Sequence, residues 1–499
     1  TKISEENESI LRESILRERK YIKVRRILLI EPSYKNKYPP LGLMKISTYH
    51  KMLGDEVVFC KGTNPSLKKE KWDRIYIATL FTFYWNITIK TIKYYLKSVD
   101  NSKHIFVGGP MATIMAEEIH AQNGLEDITI IKGLLNKSNI LDENEYIIDD
   151  MVPDYSIIDT TKNHYLNYNY PVSDAYFVHL TRGCVRNCDF CAVPIIEPEP
   201  NFKKYIDIKQ IIENVKNQFG DKQNLIIMDN NILASPNLEQ FVKDIIDCGF
   251  GVNNNNYKYI KDGKERVKKR YVDFNQGLDA RILYKHPEKM ELLSRLAVKP
   301  LRIAFDHADD DFVKIYTQCM WLAAQNNIKE LSNYILFNYE DEPSDLYKRL
   351  ETNVKLNLEF ENAGYNTRIW SFPMRYSPIF GEHTKSRKYK GEKWTRKELR
   401  AIQCILNATH GVVGPKYSFF KKAFGESIEE FNKLLWMPEK YIIYRNENIQ
   451  NGNTSRWNEL FSQLDKNSLN EFKALIGDNV FIGKRSNNKL IAELLSHYI

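Results

Sequence analysis

Short apolar runs recur along the first three quarters of this 499-residue chain, each followed by a stretch with helical spacing, and this alternation restricts the fold more than any other property. Residues 24–31, Val-Arg-Arg-Ile-Leu-Leu-Ile-Glu, read as a buried parallel strand, because a strand covered on both faces is apolar without interruption. The loop 32–40 follows, and 41–54 shows helical spacing that ends at a glycine stop. Further strands are predicted at 56–60, 74–79 and 104–108, which together imply a doubly wound parallel sheet. After a polar and aromatic linker, a second series at 175–180, 225–228, 271–274, 301–305, 334–337 and 367–372 fits a partial barrel of six strands. The Asn- and Lys-rich segment 251–270 reads as a solvated excursion from it.

The expected architecture is therefore α/β. It comprises an N-terminal helical extension (1–23), a Rossmann-like domain (24–150), a linker (151–174), a partial (β/α)6 barrel of TIM type (175–378) and a helical, basic C-terminal module (379–499). In that module apolar residues recur at three and four spacing over 398–407, 427–436, 458–464, 469–476 and 489–498. The turn Gly108-Gly109-Pro110 has two readings, a tight strand-to-helix turn or a close backbone approach to a ligand.

No run of 18 apolar residues occurs, and the first 20 residues carry a charged pattern without an apolar core of signal-peptide length, so a cytoplasmic protein with no membrane contact is expected. The net charge of +8 is unevenly spread. From Gly381 to Ile499 there are 20 Lys and Arg against 13 Asp and Glu, which accounts for seven of the eight charges. Within it, Lys385 to Arg400 interleaves basic residues with Tyr389 and Trp394, a mixture that suits phosphates and stacked bases or, equally, a solvated helix start over two core aromatics. Nucleic acid is on that basis a candidate partner.

Of the seven cysteines, Cys60, Cys248, Cys319 and Cys404 stand singly and read as small buried hydrophobes. Cys184, Cys188 and Cys191 stand together, in Leu180-Thr-Arg-Gly-Cys-Val-Arg-Asn-Cys-Asp-Phe-Cys191, on a loop delivered by the predicted strand at 175–180. Clustered thiolates are soft ligands that hold iron–sulfur clusters. Three of them leave one iron of a four-iron cube open to something other than protein. A zinc site would need a fourth ligand, for which His179 is the nearest candidate.

This C-x3-C-x2-C loop after a strand, with an aromatic before the last cysteine, resembles the radical S-adenosylmethionine (SAM) superfamily over about 175–378. The resemblance implies an enzyme in which Cys184, Cys188 and Cys191 hold a 4Fe–4S cluster and SAM chelates the open iron. Reductive cleavage then yields a 5′-deoxyadenosyl radical, with electrons from a flavodoxin- or ferredoxin-type reducing system. Carried over residue by residue, Phe190 is the aromatic beside the adenine, and Met228-Asp229-Asn230-Asn231 stands where the superfamily has a glycine-glycine-glutamate turn that meets the methionine amino group. Gln276 and Asp279 are candidates for the ribose or substrate, and Arg281 or Arg302 for the methionine carboxylate. Tyr339, Arg375 and Tyr376 stand at the ends of later strands as candidates to face substrate.

Tyr38-Pro-Pro-Leu-Gly-Leu43, Gly54-Asp-Glu-Val57 and Val107-Gly-Gly-Pro110 resemble the class of radical SAM enzymes with a cobalamin-binding domain, over about 24–150. Many in that class transfer methyl groups. The Asp-x-His-x-x-Gly signature that supplies a lower cobalt ligand is absent here, so cobalamin is a candidate cofactor that the sequence weighs against. The expectations are thus a radical SAM enzyme acting on an unidentified substrate, nucleic acid among the candidates; a cobalamin-dependent methyltransferase acting on a small molecule or peptide; or a non-catalytic iron–sulfur sensor.

Overall fold

The computed structural model describes residues 24–499, so the extension expected at 1–23 lies outside the described residues. The chain divides between Ser173 and Asp174 into two compact units, with Asn214–Asp221 belonging to the first.

In the first unit five strands, β1 (Arg26–Glu31), β2 (Glu56–Lys61), β3 (Arg74–Ala78), β4 (Ile105–Gly108) and β5 (Thr129–Ile131), form one sheet in the order β2-β1-β3-β4-β5. Every pairing is parallel, with Ile27 opposite both Val57 and Arg74. All of β1 beyond Arg26 is buried, which is why its sequence runs apolar without alternation. Leu28, Ile30, Ile75, Ile77 and Val107 meet Trp85, Ile89, Ile92 and Met111 in the core of this unit. The first four strands stand where the sequence places them. β5 has three half-buried residues, too few to show a pattern.

The glycine pair after β4 has an internal explanation. Gly109 adopts φ +106°, and a Cβ there would lie 2.3 Å from the Thr79 carbonyl oxygen. Thr79 in turn donates through Oγ1 to the Gly108 carbonyl (2.9 Å) and accepts from the Ala112 N–H (3.0 Å). The close approach is therefore to the end of β3. Beside it, Tyr34 from the loop after β1 stacks on Tyr84 from the loop after β3, centroids 4.7 Å apart. His50 is buried with Nδ1 2.7 Å from Asp55 and Nε2 2.9 Å from the Tyr76 hydroxyl, and burial pushes its pKa down to about 4.

The second unit contains β6 (Ala175–Val178), β7 (Asn224–Ile227), β8 (Asn256–Lys261), β9 (Lys264–Lys269), β10 (Val272–Phe274), β11 (Leu301–Phe305), β12 (Glu330–Phe337) and β13 (Arg368–Arg375). Parallel sheets β6-β7-β10 and β11-β12-β13 are joined where the Leu278 N–H donates to the Arg302 carbonyl (2.8 Å) and the Ala304 N–H to the Leu278 carbonyl (3.2 Å). Six parallel strands thus follow one another in chain order, at the six places the sequence indicates. The segment 251–270, expected to be a solvated excursion, carries an antiparallel hairpin, β8 on β9. Its turn is Asp262-Gly263, both at positive φ, as a two-residue hairpin requires.

The C-terminal helices pack within this same unit, on the helix Pro343–Asn362. Tyr347 of that helix lies 5.1 Å from Phe420 and 5.2 Å from Phe431, and its hydroxyl donates to the Gly425 carbonyl at 3.1 Å. Trp394 is buried and donates from Nε1 to the Asp341 carbonyl at 2.8 Å. Among the described residues no helix is long and apolar enough to cross a membrane.

Candidate active site

The cysteine loop leaves the end of β6 and is braced from three directions. Asp229, just beyond β7, is buried and accepts from the Leu180 N–H (2.8 Å), the Thr181 N–H (2.5 Å) and Thr181 Oγ1 (2.5 Å). Burial pushes its carboxyl up to about 6 against the pull of these donors. Both oxygens are engaged with the loop's backbone, so Asp229 is a positioning group rather than a free acceptor for a methionine amino group.

Glu197 supplies the second brace. Its carboxylate accepts from the Gly183 N–H (2.5 Å), Asn230 Nδ2 (3.0 Å) and Arg182 Nη1 (3.2 Å). Gly183 sits at φ +78°, where a Cβ would come within 2.7 Å of Pro200 Cα, so the residue before the first cysteine is fixed as glycine by both conformation and space. No periodic pattern in the sequence marks Glu197; it is paired across a loop rather than along an element.

The third brace is Asp279, which caps the helix Ala280–Lys285 by accepting from the Arg281 N–H at 2.9 Å. Its other oxygen accepts from Arg186 Nε (2.8 Å) and from Asn231 Nδ2 (3.3 Å), which also lies 3.4 Å from Cys184 Sγ. The Arg186 N–H stands 3.4 Å from the same sulfur. Arg281 spreads its guanidinium 4.5 Å over the Phe312 ring.

All three cysteines are free and half-buried. Burial, with Asp306 and the neighbouring cysteines, pushes the Cys188 thiol up to about 11, and burial raises Cys191 as well. Three adjacent thiols cannot all ionise here without a positive partner, which is the service a metal core provides to its ligands. Two buried oxygens in this region, Asn231 Oδ1 and Asp306 Oδ1, have no hydrogen-bond partner. Among the described residues no three His, Cys, Asp or Glu side chains converge on a single ion, which disfavours a zinc site built with His179. A cluster that takes one thiolate per iron needs its ligands spread, and the residues present fit one.

Around the loop the structure assembles an aromatic row. Phe190 meets Tyr339 edge to face at 5.6 Å and His307 at 6.3 Å, while Tyr339 meets Tyr376 at 4.7 Å. Two of the three substrate-facing candidates are thus brought to the cysteine loop. The third, Arg375, leaves the row; its guanidinium donates to the Tyr389 carbonyl at 2.7 Å. Gln276 is exposed on the turn after β10. Arg302 forms a bidentate pair with Asp273 on the neighbouring strand, 2.8 and 2.9 Å, so its charge is engaged within the protein. Of the two candidates for a methionine carboxylate, Arg281 stands nearer the thiols, where its charge acts on Cys188.

Asp229→Asn is expected to cost about 2 kcal/mol, because an amide turns an N–H toward the Thr181 N–H and leaves a buried donor unsatisfied. Denaturant midpoints, together with iron content after reconstitution, would register both the destabilisation and the loosened loop.

A family model described as the radical SAM superfamily matches residues 178–337. Among solved structures, the chain is similar to the cobalamin-dependent S-adenosylmethionine radical enzyme OxsB with aqua-cobalamin bound, with a TM-score of 0.50 and 11% identity over 95% of this chain and 79% of that one. It is also similar to the radical S-adenosylmethionine methyltransferase TsrM from Kitasatospora setae, with a TM-score of 0.43 and 11% identity over 77% of this chain and 78% of that one. No curated protein matches the chain. With its three cysteines on the loop after the first of six parallel strands, and with residues 178–337 matched as a domain, the chain is an enzyme of the radical SAM superfamily.

Proposed function

We propose that Cys184, Cys188 and Cys191 hold a 4Fe–4S cluster and that SAM binds beside it, to be cleaved reductively for the modification of a substrate lying along the aromatic row. The observation that carries this reading is the convergence of three free, desolvated thiols on a loop braced by Asp229, Glu197 and Asp279. When bound, the cluster and SAM supply the electron and the primary carbon radical that begin the reaction. The residues of this chain supply position. Asp229 and Glu197 fix the backbone on the N-terminal side of Cys184, Arg186 and Asn231 fix its sulfur, and Phe190, Tyr339 and Tyr376 form an apolar wall that keeps water from a reactive intermediate. A low-potential flavodoxin- or ferredoxin-type donor in the cytoplasm suits the required electron.

A second reading, cobalamin-dependent methyl transfer, is favoured by the five-stranded parallel sheet of the first unit and by the cobalamin in the OxsB structure. Those features make the corrinoid a better candidate than the missing histidine signature alone suggests. The sheet order β2-β1-β3-β4-β5 reverses its winding at β1 and β3, the place where doubly wound sheets bind ligands, and Tyr34 and Tyr84 stand there. Anaerobically reconstituted protein, reduced with dithionite in the presence of SAM, is expected to release 5′-deoxyadenosine. Failure to do so with a fully loaded cluster would refute the reading. Retention of corrinoid absorbance after gel filtration with hydroxocobalamin separates the second reading from the first.

A further inference from the structure

Five cationic side chains, Arg375, Arg387, Lys388, Arg396 and Arg400, line one cavity of about 230 Å³ at the end of β13. They come from three separate stretches: the strand end, the loop 387–388, and the first turns of the helix Arg396–Ala408. The one carboxylate in the lining, Asp478, is held by Lys484 at 2.9 Å. Arg400 is paired with Glu439 at 2.9 Å. Arg375 is oriented by the Tyr389 carbonyl, which fixes a guanidinium without neutralising it. Burial and the neighbouring charges of Arg387 and Arg396 disfavour the charged form of Arg375. So many like charges gathered at one concavity repel one another, and an anion that bridges them relieves that repulsion.

The cavity is continuous with the aromatic row. Tyr389 gives its carbonyl to Arg375 and its ring to Tyr376, centroids 5.5 Å apart. From Tyr376 the row runs through Tyr339 to Phe190, the residue before Cys191, in steps of 4.7 and 5.6 Å. A molecule with its anionic end among the five cations would lie along three or four rings with its far end at the cysteine loop. That is the length and character of a nucleotide-sized compound, with a planar or sugar-like body and a phosphate tail.

We propose that this cavity is an anion subsite for the phosphate groups of a small phosphorylated substrate, whose organic part lies along Tyr389, Tyr376 and Tyr339 toward Cys191. The cations enclose a pocket rather than line an extended stripe, which favours a terminal phosphate or diphosphate over a continuous nucleic-acid backbone. The inference rests on the proposed radical chemistry for what happens at the far end of the substrate, and not for the binding itself.

Calorimetric titration of the full-length, reconstituted protein with inorganic pyrophosphate tests it, with the double variant Arg387→Gln, Arg396→Gln and the single variant Lys388→Gln alongside. Pyrophosphate is expected to bind the wild type and to lose about tenfold or more in affinity in the double variant, as loss of two charge-assisted contacts implies. Lys388→Gln, on an exposed loop, is expected to weaken binding in the same direction, and it decides the outcome if the double variant does not fold. Equal affinity in wild type and both variants, or no binding to the wild type at millimolar pyrophosphate, overturns the subsite. A single-stranded oligonucleotide that binds at the same residues and is not displaced by pyrophosphate overturns it in favour of a nucleic-acid surface. Loss of 5′-deoxyadenosine release with pyrophosphate binding intact counts against the radical chemistry alone, and the converse against the subsite alone.

Discussion

Alanine at Cys184, Cys188 or Cys191 is expected to abolish the iron–sulfur chromophore and, with it, reductive cleavage of SAM. A four-iron cube held by three thiolates already leaves one iron without a protein ligand, and the loss of another leaves two corners exposed to solvent and to oxidation. No neighbouring side chain is poised to substitute, since among the described residues no other group of His, Cys, Asp or Glu gathers as a metal site. The three positions are expected to be equivalent in iron and sulfide content per chain. Cys248→Ser is the matched control. Cys248 is also half-buried, but it belongs to the helix end at Ile246–Phe250, and its substitution is expected to leave iron content unchanged. An alanine variant that keeps the wild-type iron content and 5′-deoxyadenosine release would remove that residue from the cluster.

The parts of the fold that were legible in the sequence are those where burial forces a pattern. β1, β11 and the rest of the parallel strands except β5 announce themselves because both faces are covered, so their side chains run apolar. The β8–β9 hairpin announces nothing of the kind: every residue of β9 is exposed, and only Asp262-Gly263 betrays the turn. The three cysteines were legible because spacing alone carries their chemistry. The roles of their neighbours depend on contacts that spacing does not encode. Asp229 reaches backbone N–H groups 48 and 49 residues earlier, and Glu197 secures Gly183 from across the loop. Arg302 is a plausible carboxylate clamp until the strand register sets it beside Asp273. The cavity at Arg375 draws on residues spread from 375 to 479, so the basic run 385–400 shows half of it and hides its shape.

Arg349→Met is expected to destabilise the second unit by about 3–5 kcal/mol, the cost of leaving a buried carboxylate without its partner. Arg349 is 1% exposed on the helix Pro343–Asn362. It donates to the carbonyls of Leu336 (2.7 Å), Phe305 (3.3 Å) and Asp345 (3.2 Å), and to Asp341 Oδ2 (2.7 Å). One guanidinium thus ties the ends of β11 and β12 to the loop that follows. Asp341 passes the constraint on: its Oδ1 accepts from the Tyr339 N–H at 3.1 Å and from Trp394 Nε1 at 3.3 Å. Burial raises the Asp341 carboxyl and lowers the Arg349 guanidinium, so each ion is disfavoured and the pair persists through mutual attraction. The sign of the pH dependence follows. With Arg349 gone the Asp341 pKa rises further above its unfolded value, and a raised carboxyl stabilises the folded state at low pH and loses that contribution as pH rises. The variant is therefore expected to fall further below wild type at pH 8 than at pH 5, and adding Asp341→Asn should recover part of the loss. Urea midpoints at the two pH values measure both effects; a deficit under about 1 kcal/mol, the scale of a surface pair, would mean that Asp341 is not held as a buried ion. Because Tyr339 hangs from Asp341 and stands between Phe190 and Tyr376, the same substitution is expected to disorder the aromatic row beside the cysteine loop.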